Sequence, residues 1–220
     1  MPPPAKRPAP FPAFLKLNGL HCLMIGGHGE APQKAEALLK AGAILTIVAP
    51  KLSPELAALW PKWRAKWLQE HFKPHHLDGI WLVVSSLTDQ ETNARIYAEA
   101  LGRNTFINVV DQPRFCNVIW PARVERSPIS IAISTGGASP ALAAHLKRQI
   151  SDILPEQLGP FADWLAAARK RTSPLLPNLA ARGHFWRALL ENGLAEKYLA
   201  GEIQQAETMI QEALQQQAWK

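Results

Sequence analysis

The stretch LMIGGHGEAPQKAEALLKAGA, residues 23–43, decides the fold. An apolar run over residues 20–25 leads into Gly26-Gly27-His28-Gly29, and an Ala/Leu-rich helical pattern follows. Strand, glycine turn and helix in that order form the unit that carries the dinucleotide fingerprint G-x-G-x-x-G/A, in which backbone N–H groups approach a pyrophosphate at a helix N-terminus. Counted from Gly26, the second glycine of the fingerprint falls on His28 and the closing small residue on Ala31. His28 therefore brings a Cβ to the place of closest approach. The acidic ribose contact expected about 20 residues further on is absent. Ala49-Pro50-Lys51 stands there instead. Taken alone, the turn reads equally well as a tight strand–helix connection with no ligand.

Working outward, the same alternation repeats. Residues 32–41 read as a helix with Pro32 in its first turn and Gly42 as its stop. Residues 44–48, β-branched and apolar, form a buried strand ended by Ala49-Pro50. Ser53-Pro54-Glu55 opens a second helix with an N-cap and a proline at N1. Residues 60–67 are ambiguous. Residues 80–84 are a strand, 89–101 a helix stopped by Gly102, and 105–110 another strand. Strand and helix alternating at this spacing predict right-handed crossovers and a parallel, doubly wound sheet. Ligands bind such sheets at the carboxyl ends of the strands. Here those ends are residues 26–29, 49–51, 85–88 and Asp111, which one crevice should gather.

Beyond Asp111 the pattern changes. Residues 115–120 and 129–133 read as strands joined too closely for a helical crossover. A helix follows Ser139-Pro140 to about residue 153, and residues 155–220 carry no strand signal. The expected architecture is α/β: a Rossmann-like parallel-sheet domain (1–112), a central connecting segment (113–154) and an all-helical C-terminal part (155–220).

Composition narrows the classes. The chain has 220 residues, 47% of them hydrophobic and 19% charged, enough for a sizeable core. Cys22 and Cys116 offer no disulfide framework and read as buried structural thiols, so a cytoplasmic location is expected. No apolar run approaches the ~20 residues of a membrane span. The proline-rich start, residues 1–14, reads as a flexible lead-in rather than a signal peptide. A net charge of +6 and a pI of 9.5 suit a polyanionic partner. The basic residues are dispersed apart from Arg169-Lys170-Arg171, which argues against nucleic acid and leaves an anionic membrane surface or a small molecule rich in carboxylates. His71, His75, His76, His145 and His184 match no zinc spacing, so no resident metal is expected, and His75-His76 read as solvated loop residues.

Two further stretches carry chemistry. In INVVDQPRFCNVIWPA, residues 107–122, Asp111 follows a buried strand at the rim of the crevice, where a carboxylate can take a proton from a substrate or cap its own loop as an Asx-turn. In SIAISTGGASPALAAHLKRQI, residues 130–150, a strand runs into Ser134-Thr135-Gly136-Gly137-Ala138, with Ser139 as N-cap and Pro140 at N1. Hydroxyls, glycine N–H groups and a helix N-terminus together suit an anion, or make an ordinary well-capped turn.

Taken in order, AGAILTIVAP, NVVDQP, ISTGGASPALA and ILPEQLG resemble the precorrin-2 dehydrogenase/sirohydrochlorin ferrochelatase family, which also forms the N-terminal half of siroheme synthase. The resemblance runs over about residues 11–186 and more weakly to the C-terminus. It implies NAD-dependent oxidation of precorrin-2 to sirohydrochlorin, then insertion of ferrous iron, a substrate, to give siroheme. It also implies a homodimer joined through the central segment. On this resemblance Asp111 is the residue that handles protons in both reactions. Gly26, Gly27, His28, Gly29, Glu30, Pro50, Lys51, Ser86 and Leu87 fall on cofactor positions. Asn108, Ser134, Thr135, Gly136, Gly137 and Ser139 fall on tetrapyrrole positions, Thr135 keeping the hydroxyl that is a modifiable serine in some fused relatives. The methyltransferase half of the fused synthase is not expected in this chain.

The departures cluster. His28 replaces a glycine of the family's GGG, and Leu87 stands where relatives place a small or hydroxyl residue, both in the dinucleotide crevice. Two competing readings follow: a chelatase that has lost NAD, and a non-catalytic tetrapyrrole carrier or sensor.

Overall fold

His21–Ile25 (β1) alternates its side chains between two cores, as the twofold period of a strand requires. Cys22 and Met24 enter one cluster, Leu23 and Ile25 the other. Both faces are covered, so the strand is apolar from Cys22 to Ile25, as parallel sheets demand. The computed structural model describes residues 9–63 and 65–217. The first eight residues of the proline-rich lead-in lie outside the described residues. The chain divides into two compact units between Trp120 and Pro121.

The first unit is a five-stranded parallel sheet in the order β3-β2-β1-β4-β5. Beside β1 lie Ile44–Val48 (β2), Lys66–Leu68 (β3), Leu82–Ser85 (β4) and Phe106–Val109 (β5). The order reverses between β1 and β4, so the loops after these two strands diverge and leave a crevice at their carboxyl ends. Ala31–Lys40 (α1) and Pro54–Leu59 (α2) cover one face through Ala31, Ala35, Leu38 and Leu56. Gln90–Gly102 (α3) covers the other through Ile96 and Ala100. Caps end these helices as the sequence suggests: Ser53 Oγ accepts the Leu56 N–H at 3.2 Å, and Asp89 accepts that of Thr92 at 2.8 Å.

Two readings change here. The ambiguous stretch near Trp67 supplies β3, pinned to β2 where Trp67 Nε1 donates to the Ala49 carbonyl at 2.9 Å. Residues 115–120 form no strand: Pro113–Phe115 is a single 3-10 turn, and the following residues run along the edge of β5. Side chains replace the ladder there. Asn117 Oδ1 accepts the Ile107 N–H at 2.7 Å, its Nδ2 donates to the Thr105 carbonyl at 3.1 Å, and Cys116 Sγ accepts the Val109 N–H at 3.1 Å. An amide side chain can present both hydrogen-bonding partners of a strand, so the apolar pattern around it imitates one.

The second unit begins with an antiparallel hairpin, Ala122–Arg126 (β6) and Ile129–Ile133 (β7). The sequence signal found β7 but not β6, whose ARVER alternates charge with small residues. Pro140–Ile153 (α4) starts at the predicted cap, with Ser139 Oγ accepting the Leu142 N–H at 3.2 Å. Its far end is closed by Arg126, which donates to the Leu154 carbonyl at 3.0 Å and the Ser151 carbonyl at 3.1 Å. Leu158–Thr172 (α5) can approach the hairpin only because residue 159 is glycine: a Cβ there would strike the Ser127 carbonyl and lie 3.0 Å from that of Arg126. Leu179–Glu191 (α6), Leu194–Leu199 (α7) and Ile203–Gln217 (α8) complete an all-helical remainder around Phe185, Trp186, Leu189, Leu194 and Ile210.

Candidate functional site

The glycine turn sits at the reversal point of the sheet. Gly26 has φ +96°, and a Cβ on it would lie 2.5 Å from Ser86 Oγ and 3.2 Å from Leu87 Cδ2. A Cβ on Gly27 would strike the Lys51 carbonyl. Bare backbone thus lets the loops after β1, β2 and β4 close on one another, and the Ser53 N–H donates to the Gly27 carbonyl at 2.7 Å. Gly29 has φ +62° and open space around it. His28 is exposed at the tip of the turn. Ala31, fully buried, allows α1 to pack closely on the sheet.

The α1 N-terminus carries a charge the fingerprint does not call for. Glu30 is the N-cap residue but makes no capping bond. Its carboxylate pairs with Lys34 at 3.1 Å, and that ammonium lies 4.6 Å above the Trp120 ring. An anion at a helix N-terminus would repel a pyrophosphate, and Lys34 offsets it. Lys34 and Trp120 carry no signal in any motif and were not legible from the sequence.

The loop after β4 is fixed by a buried pair. Ser85 Oγ donates to Asn93 Oδ1 at 2.7 Å, and Asn93 Nδ2 donates to the Leu87 carbonyl at 2.8 Å. Gln112 Nε2 donates to the Thr88 carbonyl at 3.2 Å, tying this loop to the one after β5. Its Oε1 is buried and has no partner among the described residues. Lys51, Gly27, Gly26, Ser86, Leu87, Gln112 and Asp111 thus follow one another along the carboxyl edge of the sheet.

Asp111 is exposed, with φ +57°. The left-handed region is tolerated by aspartate but still costs about 1 kcal/mol, and such residues concentrate at functional sites. An Asx-turn would need the N–H two residues on, which Pro113 lacks. Among the described residues the carboxylate makes no hydrogen bond or ion pair. Asn108 is nearly buried and donates to the Val118 carbonyl at 2.9 Å, so its amide holds the β5 edge loop.

In the second unit, residues 134–139 form a turn closed on itself. Ser139 N–H donates to Thr135 Oγ1, and the Thr135 hydroxyl donates to the Ser139 carbonyl, both at 3.2 Å. Gly136 N–H donates to Ser134 Oγ at 3.2 Å and Ala138 N–H to the Thr135 carbonyl at 3.0 Å. Among the described residues, Gly137 and Ala141 keep backbone donors for an anion. Gly136 (φ +62°) and Gly137 (φ +81°) are exposed in open space.

Elsewhere, His76 is buried, not solvated: its Nδ1 accepts the Lys73 N–H at 3.1 Å and its Nε2 lies 3.1 Å from Glu70 Oε1. With His75 these groups have the spacing of a metal cluster. The Lys73 bond, however, leaves the imidazole proton on Nε2, where it donates to Glu70 rather than ligating. Hydrogen bonds from Lys73 and His76 hold the Glu70 carboxyl below its ordinary range. Burial pushes the Cys22 thiol up to about 11 and raises that of Cys116, so neither is a ready thiolate. A cleft of about 650 Å³ opens at the opposite, amino edge of the sheet, between Trp81, Phe106 and the Asp78–Arg103 pair. Its turn glycine, Gly79, stands beside no helix N-terminus among the described residues, whereas the glycine turn after β1 runs into that of α1 at the carboxyl edge. Among the described residues no helix is long and apolar enough to cross a membrane.

Comparison with known proteins follows the same divisions. Residues 13–122 match the family described as putative NAD(P)-binding, 126–153 the sirohaem biosynthesis protein central family, and 157–214 the sirohaem synthase dimerisation region. A siroheme synthase of Photorhabdus laumondii is 36% identical over 94% of this chain and 44% of its own length. Siroheme synthase 1 of Aeromonas salmonicida is 39% identical over 92% of this chain and 44% of its own length. The chain thus spans less than half of these relatives. The solved structure of SirC, a precorrin-2 dehydrogenase, superposes with a TM-score of 0.74 at 23% identity, covering 92% of this chain and 98% of that one, and shares its fold.

Proposed function

The chain belongs to the family of siroheme biosynthesis proteins built from an NAD(P)-binding domain, a sirohaem central segment and a dimerisation region, and from that premise we propose that it oxidises precorrin-2 to sirohydrochlorin with NAD and then admits ferrous iron as a substrate. The observation that carries this reading is Asp111: a carboxylate unpaired among the described residues, held with φ +57° where β5 ends, on the same sheet edge as the glycine turn. The residues around the turn fit a dinucleotide. Gly26 and Gly27 close the crevice floor, the α1 N-terminus faces it with Glu30 neutralised by Lys34, and exposed His28 has solvent to occupy. Bound NAD supplies the hydride acceptor.

The protein's own part is proton removal. Oxidation takes two electrons and one proton as hydride from the macrocycle, and a second proton must leave to a base. Metal insertion displaces two pyrrole N–H protons. Asp111 accepts protons in both steps, and its exposure allows return to water. Thr135, Gly136 and Gly137 hold substrate carboxylates, with Gly137 and Ala141 N–H groups as donors. The basic net charge of +6 favours a polycarboxylate ligand. The proposed functional parts are residues 1–112, 113–154 and 155–220, although the compact units divide later, between Trp120 and Pro121. The protein works as a cytoplasmic homodimer. The match of residues 157–214 to a dimerisation region supports the dimer, and Leu142, Leu146, Ile150 and Ile153, recurring along α4 where no residue is buried, offer it a further apolar stripe.

The test is turnover of precorrin-2 followed by NADH absorbance, with metal insertion followed separately. Asp111→Asn keeps the shape and tolerates the left-handed backbone. We expect it to lower both rates by about 10²–10⁴-fold. Wild-type rates would remove Asp111 from the chemistry, and loss of one activity alone would assign the steps to different bases.

A further inference from the structure

The amide of Gln112, the residue after Asp111, joins the loop after β5 to the loop after β4. Its Nε2 donates to the Thr88 carbonyl at 3.2 Å, and Arg114 adds a second tie by donating to Gln90 Oε1 at 2.5 Å. Both ends of the tie are stiff. At one end, the Gln112 N–H donates to the Val109 carbonyl at 3.3 Å, and the Gln112 carbonyl accepts the Phe115 N–H at 3.0 Å. At the other, Ser85 and Asn93 are fully buried, and Asn93 holds the Leu87 carbonyl at 2.8 Å. Ser86 and Leu87 in turn abut the glycine turn, where a Cβ on Gly26 would lie 2.5 Å from Ser86 Oγ and 3.2 Å from Leu87 Cδ2. An unbroken series of contacts thus runs from the glycine turn to Asp111. The amide is nevertheless a poor device for stability. Gln112 Oε1 is buried and, among the described residues, accepts nothing. A buried acceptor without a donor costs free energy that an apolar side chain of the same shape avoids.

Resting on the proposed function above, we infer that Gln112 is a positioning residue, which sets the separation between Asp111 and the dinucleotide. Oxidation needs both groups at once, since a hydride and a proton leave the macrocycle for two different acceptors. Metal insertion needs Asp111 alone, because the displaced protons go to a base and no hydride moves. Displacing a catalytic group by about 1 Å can slow a reaction by about 10²-fold. Loosening the tie therefore penalises oxidation and largely spares metal insertion.

The experiment uses the full chain with Gln112→Met, which keeps the length of the side chain and removes both amide groups. The kcat of precorrin-2 oxidation falls by about 10–100-fold, while metal insertion changes by less than about threefold. The KM for precorrin-2 and the NAD+ dissociation constant from calorimetry stay within about twofold, the split expected of a group that acts on the transition state. The denaturant midpoint is unchanged or higher, since the unpaired acceptor is gone. Gln112→Lys, whose ammonium can still donate to the Thr88 carbonyl, recovers part of the oxidation rate. Wild-type oxidation in Gln112→Met, or an equal fall in both rates, overturns the inference while the proposed function stands. A lowered midpoint with loss of both activities assigns Gln112 to the fold, and about tenfold weaker NAD+ binding at unchanged kcat assigns it to cofactor contact. Either result also overturns it. A wild-type chain that oxidises no precorrin-2 overturns the proposed function and the inference together.

Discussion

The sheet unit and the start of the second unit are built on opposite plans. In the first, the inner strands bury residues on both faces, and Leu45, Ile47, Val83, Val84 and Ile107 are at most 1% exposed. In the second, a two-stranded hairpin and a fourteen-residue helix follow one another, and the helix buries nothing. Ile153 is 76% exposed at its end. A two-stranded hairpin is marginal by itself. The sheet unit has a core on both faces although Trp81 stays 51% exposed, whereas α4 has no buried residue and leaves Leu142 47% exposed. Rigidity is thus concentrated where loops must hold a small ligand, and incompleteness where a second copy is expected.

That contrast can be broken by mutation. Leu45→Ala, in the sheet, should destabilise by about 3 kcal/mol or more, read as a lowered denaturant midpoint. A loss below about 1 kcal/mol would deny the sheet its self-sufficiency. Leu142→Asp, on the α4 stripe, should leave the fold of the chain intact by circular dichroism while moving sedimentation from dimer to monomer. A dimer that persists unchanged would place the interface elsewhere. Gly159→Ala tests a close approach inside the second unit. The added methyl meets two carbonyl oxygens, and we expect about 1–3 kcal/mol of destabilisation. An unchanged midpoint would mean that α5 can yield there. The smallest effect belongs to the glycine turn: His28→Gly should tighten NAD binding by tenfold at most, about 1.4 kcal/mol, without changing tetrapyrrole affinity. Weaker binding would show that the imidazole contacts the ligand.

The same contrast governs how much was legible in the amino acids. The sheet unit announces itself because burial on both faces imposes apolar runs, and because Ser53-Pro54 and Ser139-Pro140 mark helix starts at the residues observed. What failed were elements with little burial. β3 has three residues, none buried, and β6 buries only Val124, so neither needs an apolar pattern. Residues 115–120 misled for the opposite reason, being partly apolar yet paired through Asn117 and Cys116. At the candidate site, the glycines, Lys51 and Asp111 were visible because turn chemistry and strand ends reveal them. Lys34, Trp120, Ser85, Asn93 and Gln112 were not, since their roles arise from contacts between loops distant in sequence.

The pairing along β5 has a bearing on the life of the protein in a crowded solution. An outermost strand with a bare row of donors and acceptors is a template on which a stray extended chain can add itself, the first step toward fibrous aggregation. Here the chain's own following residues occupy that row, through Asn117, Cys116 and the Ile107 carbonyl, which accepts two backbone N–H groups at 3.1 Å. For a chain proposed to pair with a second copy, an occupied β5 edge removes one route by which copies could meet strand to strand.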